Sequence, residues 1–176
     1  MPGERYGCRC GIEWLDDSDV SPNTTQEQKV IANVPKDISN KIDKVYENAV
    51  SGTYLENRLT VNLGALPRKT VHRINKSTGF NLKGFDVKVD GEAVWHNQKG
   101  HGVLEQTKKG QVIITREKLK LLYHIMTNFD AVYVERKKAG SVRFLFEKDL
   151  KSKYKEVFVY GKNKKHLLFK TLFGKQ

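Results

Sequence analysis

"AVYVERKKAGSVRFLFEKDLKSKYKEVFVYGKNKKHLLFKTLF", residues 131–173, decides the fold class. Four runs in it are strand-like: AVYVER (131–136), SVRFLFEK (141–148), KEVFVYG (155–161) and HLLFKTLF (166–173). Each is rich in the β-branched and aromatic residues that suit a pleated, half-buried surface. The segments between them, KKAG, DLKSKY and KNKK, have hairpin length. Consecutive strands joined so briefly must pair antiparallel, because a parallel pair needs a long crossover.

Upstream of this meander the period changes. In TREKLKLLYHIMTNF (115–129), Thr115 is a good N-cap, and Leu119, Leu122, Ile125, Met126 and Phe129 form one apolar stripe, which predicts a helix. GQVIIT (110–115) is a short β-branched run. GEAVWHNQKG (91–100) reads as a helix, with Gly100 placed where a left-handed cap would end it. FDVKVDG (85–91) alternates like a strand and closes on an Asp-Gly turn signal. PRKTVHRINKSTG (67–79) predicts a short helix stopped by Gly79, and RLTVNLGAL (58–66) a short strand. In PKDISNKIDKVYENAVSG (35–52), Pro35 suits a helix start, Ile38, Ile42, Val45 and Ala49 recur at helical spacing, and Gly52 suits the stop. DDSDVSPNTTQEQ (16–28) is polar and turn-rich and reads as a linker. Helices first and a meander last predict an α+β fold: N-terminal helices packed on one face of a twisted antiparallel sheet of about four strands.

Charge divides the chain of 176 residues. Residues 1–57 hold six Lys/Arg against ten Asp/Glu; residues 58–176 hold 26 against 10, a net of +16. Two parts are therefore expected: an acidic linker and helical segment (1–57), and a basic domain (58–176). A block this basic attracts phosphate polymers or acidic protein surfaces. Between Ala131 and Gln176 there are 13 Lys/Arg against four acids, interleaved with Tyr133, Tyr154, Tyr160 and Phe169, which favours a nucleic-acid-facing sheet. No run of about 18 apolar residues is present, so no membrane span is expected, and the first residues lack a signal-peptide pattern. Cys8 and Cys10 offer at most a strained disulfide or half of a tetrahedral zinc site. Without a disulfide framework, the chain suits a reducing cytosol.

His96 and His101 stand in a short glycine-bounded segment, GEAVWHNQKGHG (91–102). Five histidines in a chain this long are ordinary, so chance is one reading. The other is a general acid/base pair acting on RNA. Residues five apart on a helix point well away from each other, but a turn after Gly100 would fold His101 back towards His96. Metal-independent ribonucleases need a base for the 2′-hydroxyl, an acid for the 5′-oxygen and cations for the phosphate; imidazole, titrating near pH 6.5, suits the first two and Lys/Arg the third. His72 and His124 sit beside apolar helical positions and read as packing or surface residues; His166 follows a hairpin tip and reads as solvated. The H-x4-H spacing fits no zinc motif, so neither metal nor cofactor is expected.

Two resemblances follow from these residues. GERYGCRCGIEW (3–14) resembles the Cys-Arg-Cys end of phage minor head proteins of the Mu F type, which often carry variable C-terminal domains. The chain is therefore expected to be a piece of a longer protein. From about Leu59 to Phe173 it resembles phage-associated toxin domains of the barnase/EndoU/colicin/RelE-like nuclease superfamily. LKGFDVKVDGEAVWHNQKGHG, QVIITREKLKLLYHIMTNFD, VRFLFEK and KEVFVYGKNKKHLLFKTLF fall in that family's order. The resemblance implies a barnase-like fold and metal-independent RNA cleavage on the sheet face. It implies His101 as the first candidate acid or base and His96 as the second. Thr171 is implied as a phosphate-side hydroxyl, with Lys170, Arg143 and Tyr160 as substrate-binding candidates. Lys170 and Thr171 are adjacent on a strand and are expected on opposite sides, which favours Thr171. Thr115 is expected to serve its helix cap instead.

The function expected is thus a ribonuclease toxin acting on RNA, such as tRNA, in a bacterial cytoplasm after delivery by a phage-derived particle or secretion route. An acidic immunity protein is its expected partner. The alternative is an inactive, basic nucleic-acid-binding module of a virion protein. ADP-ribosyl transfer ranks last, for want of an Arg…Ser-Thr-Ser…Glu-x-Glu arrangement.

Overall fold

A computed structural model describes residues 25–103, 110–138 and 140–175. Cys8, Cys10 and most of the expected linker lie outside that range. In chain order the elements are α1 (Thr25–Ala32), α2 (Lys36–Val50), a 3₁₀ turn (Thr53–Leu55), β1 (Thr60–Ala65), α3 (Arg68–Thr78), β2 (Asp86–Asp90) and α4 (Gly91–His101). There follow β3 (Gln111–Val112), α5 (Arg116–Leu119), α6 (Leu121–Asn128), β4 (Ala131–Arg136), β5 (Val142–Asp149), β6 (Lys153–Gly161) and β7 (His166–Lys175). The fold is α+β, and the meander β4–β7 pairs antiparallel throughout.

Three expectations need correction. The sheet has seven strands among the described residues, in the order β1-β2-β7-β6-β5-β4 with β3 also on β7. It exceeds the expected four because β2 joins β7 in parallel, bringing the β1–β2 pair with it. That pairing links Asp86 to His166 across most of the domain, and no local pattern announces it. The helices accordingly alternate with β1–β3 and do not all precede the sheet. Thr25–Gln28, read as linker, belong to α1. Finally, Asp90-Gly91 makes no hairpin turn: Asp90 Oδ1 accepts from Ala93 N at 2.8 Å and caps α4 directly. Gly91 is buried there, and an added Cβ would stand 3.1 Å from Tyr54 Cβ.

Other local readings hold. Gly79 ends α3 with φ +77°, a conformation that costs glycine little. Ile38, Ile42, Val45 and Ala49 are all buried on α2. Thr115 Oγ1 accepts from Lys118 N at 3.3 Å and caps α5, and the helix breaks once, at Lys120, before α6. Leu119, Leu122, Ile125, Met126 and Phe129 are buried as expected. Thr115→Ala therefore lowers unfolding stability by about 1 kcal/mol, read as a lower urea midpoint with an unchanged slope.

One hydrophobic cluster crosses position 57: Ile38, Ile42 and Val45 of α2 join Val87 and Val89 of β2 and Phe144 and Phe158 of the meander. Polar ties reinforce it. Arg116 binds Asp43 at 2.8 Å and Glu47 at 2.9 Å, and Tyr154 Oη donates to Glu27 at 2.7 Å.

Candidate functional site

Alternation along the meander separates two faces of the sheet. Phe144, Phe146, Tyr154, Glu156, Phe158, Leu167, Phe169 and Leu172 are buried beneath the helices. Arg143, Leu145, Glu147, Lys155, Val157, Val159, Leu168, Thr171 and Phe173 occupy the other face and are only partly covered. Tyr133, on the same face, is 52% exposed. Burial on β7 changes parity between Phe169 and Leu172, because the register with β6 shifts there: Phe158 pairs with Phe169 but Val157 with Thr171. Lys170 is the extra residue of a β-bulge. It therefore stands with Thr171 opposite Val157, which corrects the expectation that strict alternation separates them.

The edge of β7 explains the position of α4. β2 pairs with β7 only as far as Leu168, and β3 only at Gly174 and Lys175. Between them the strand's outward N–H and C=O groups need other partners. α4 lies in this gap. Asn97, 1% exposed, accepts through Oδ1 from Leu172 N at 2.6 Å and from Thr171 Oγ1 at 2.9 Å.

One turn further along α4, the His101 ring stacks on Phe173, centroids 5.6 Å apart and planes 27° apart. Its Nδ1 lies 3.3 Å from Gln111 Oε1. In the tautomer that donates this bond, Nδ1 carries the proton and Nε2 is the basic nitrogen. Burial lowers the His101 pKa from its usual 6.5, while the bond to Gln111 opposes that shift in part. The imidazole is therefore neutral at pH 7 and able to accept a proton.

A cross-strand row extends from this histidine. Phe173 pairs with Lys155 and Lys155 with Glu147. Lys155 Nζ lies 2.5 Å from Glu147 Oε1, and Lys153 Nζ 3.9 Å from Oε2. The next row is Thr171, Val157, Leu145 and Tyr133; beyond it come Leu168, Val159 and Arg143. Arg143 thus shares the open face, two rows from His101, and its buried Nε has no hydrogen-bond partner among the described residues.

The structure does not bring His96 to this place. α4 continues through Gly100, and Gly102 at φ −97° is its cap, so no left-handed turn folds His101 back. Five residues along an α-helix rotate the side chain by about 140°. His96 faces Glu92 at 3.8 Å and lines a separate depression with Tyr54, Leu55 and Arg58. Tyr160 also leaves the site: it turns to the helix-covered side, stacked on Phe85 at 5.3 Å and edge-on to Phe80 at 5.5 Å. His72 is exposed on α3, as the surface reading has it. His166 is partly covered at the start of β7, its Nδ1 buried without a partner among the described residues, rather than fully solvated.

Four residues of this face escaped sequence reasoning: Asn97, Gln111, Glu147 and Lys155. The alternation in KEVFVYG puts Lys155 on the side of Val157, a signal that was present. Nothing local marks Asn97 or Gln111, whose roles arise from contacts with β7 and α4. No family model, curated protein or solved structure matches the chain.

Proposed function

We propose that the basic part of this chain is a metal-independent endoribonuclease of toxin type, acting on RNA such as tRNA in a bacterial cytoplasm. The observation that carries the reading is His101: a half-buried, neutral imidazole on the same open sheet face as Thr171, Lys170 and Lys155. In this mechanism Nε2 takes the proton of a ribose 2′-hydroxyl. The 2′-oxygen then bonds to the adjacent phosphorus, the bond from phosphorus to the 5′-oxygen breaks, and that oxygen takes a proton from Lys155. The products are a 2′,3′-cyclic phosphate and a 5′-hydroxyl. Lys155 and Lys170 offset charge on the crowded phosphate, Arg143 holds a phosphate further along the strand, and Tyr133 offers a ring on which a base stacks. An acidic immunity protein, laid over the same face, would complement its charge.

The test is incubation of the full chain with total bacterial RNA in EDTA, followed by mapping of the fragment ends. Discrete fragments with 2′,3′-cyclic phosphate ends support the reading. Intact RNA, with or without added metal, rejects it and leaves a nucleic-acid-binding module.

A further inference from the structure

We propose that Thr171 Oγ1 is the acceptor for a ribose 2′-hydroxyl, and so the residue by which this face tells RNA from DNA. The proposal rests on the reading above only in taking the open face as the nucleic-acid surface.

Proton counting carries the argument. The Leu172 backbone N–H can only donate, so the Asn97 atom 2.6 Å from it must be the carbonyl oxygen. This fixes the orientation of the amide. The same oxygen lies 2.9 Å from Thr171 Oγ1 and carries no hydrogen, so the threonine's single proton lies between them. Thr171 is left with lone pairs alone and can only accept. The non-bridging oxygens of a phosphodiester also only accept, so while Thr171 keeps its bond to Asn97 it has no proton to offer a phosphate.

What a nucleic acid offers such an atom is a hydroxyl or a base N–H. The hydroxyl is the better fit. Thr171 pairs across the strands with Val157, but it lies beside Lys170 and two residues from Phe173, on which His101 stacks, and a cation and an imidazole are groups that meet a sugar-phosphate backbone. Where the face also cleaves, the 2′-hydroxyl of the reacting nucleotide goes to His101 and Thr171 takes that of its neighbour. DNA lacks that donor. Asn97 is the positioning residue: buried, it holds both the threonine proton and the β7 backbone.

The experiment compares single-stranded RNA, DNA and 2′-O-methyl RNA of one sequence. Binding is measured by fluorescence anisotropy with the His101→Ala chain, so that RNA stays intact. A 2′-O-methyl group keeps the ribose oxygen but cannot donate. RNA is expected to bind about fivefold tighter than either analogue, the worth of one neutral hydrogen bond. Adding Thr171→Val removes that preference; adding Thr171→Ser keeps it. Equal binding of RNA and both analogues before Thr171 is touched overturns the proposal without any appeal to variants. Equal weakening of all three by Thr171→Val also overturns it, and points to a base N–H. Cleavage by the unsubstituted chain is scored separately. Discrimination without cleavage retains this proposal and rejects the nuclease; cleavage without discrimination does the reverse.

Discussion

For the nuclease proposed here, His101→Ala is expected to lower RNA cleavage by about two to four orders of magnitude, the usual worth of a general base, and to leave RNA affinity within about twofold. Its ring is the only one of the two candidate imidazoles on the open face, since His96 is turned toward Glu92. The pH profile gives the sharper reading. Below its pKa the imidazole is protonated and cannot take the 2′-hydroxyl proton, so the rate falls as pH drops through that value. Burial lowers the pKa, so for the proposed cleavage the acid limb is expected below pH 6.5, with the rate held through neutrality. Single-turnover rates against pH check both points. An unchanged rate in the variant, or a limb above pH 7, removes His101 from the role of base.

Glu156→Leu raises stability, and the gain grows with pH. Glu156 is fully buried between Phe146 and Leu172 in the sheet, and neither carboxylate oxygen has a partner among the described residues. Burial raises its pKa well above 4.5, so the folded chain holds the carboxyl neutral where the unfolded chain has released the proton. In that window the folded state binds more protons, and stability falls as pH rises from the unfolded value toward the folded one. Below the window the full stability is present. Leucine has no proton to hold and leaves no buried polar group unsatisfied. A gain of about 1–3 kcal/mol is expected at pH 5, from removing that unsatisfied group. A larger gain is expected at pH 8. Urea denaturation of both chains at the two pH values measures it. Identical stabilities, or a gap that narrows with pH, would place a partner on Glu156.

Glu156 also illustrates how far the sequence can be read. In KEVFVYG its place between Lys155 and Val157 suggests a charged, solvated position. Alternation along the strand instead puts it with Phe158, and the pairing with Phe146 and Leu172 buries that side. Tyr160 shows the same in reverse. As an aromatic among lysines it suggests a base-stacking ring, yet it packs against Phe80 and Phe85, residues far away in sequence.

Period and punctuation, read along the chain, settle the α+β class, the four-stranded meander, the stripe of α5 and α6, the Thr115 cap and the Gly79 stop. These are properties of a few consecutive residues: backbone strain, capping, and which side of a strand or helix is apolar. Three features are decided only by tertiary structure. They are the parallel pairing of β2 with β7, the bulge that sets Lys170 beside Thr171, and the lodging of α4 against the open edge of β7. The last of these joins Asn97 to Thr171 across 74 positions. Each depends on the register that buries the most apolar surface over the whole sheet while leaving the fewest backbone groups unpaired. That condition involves all seven strands at once, so no single stretch of the chain contains it.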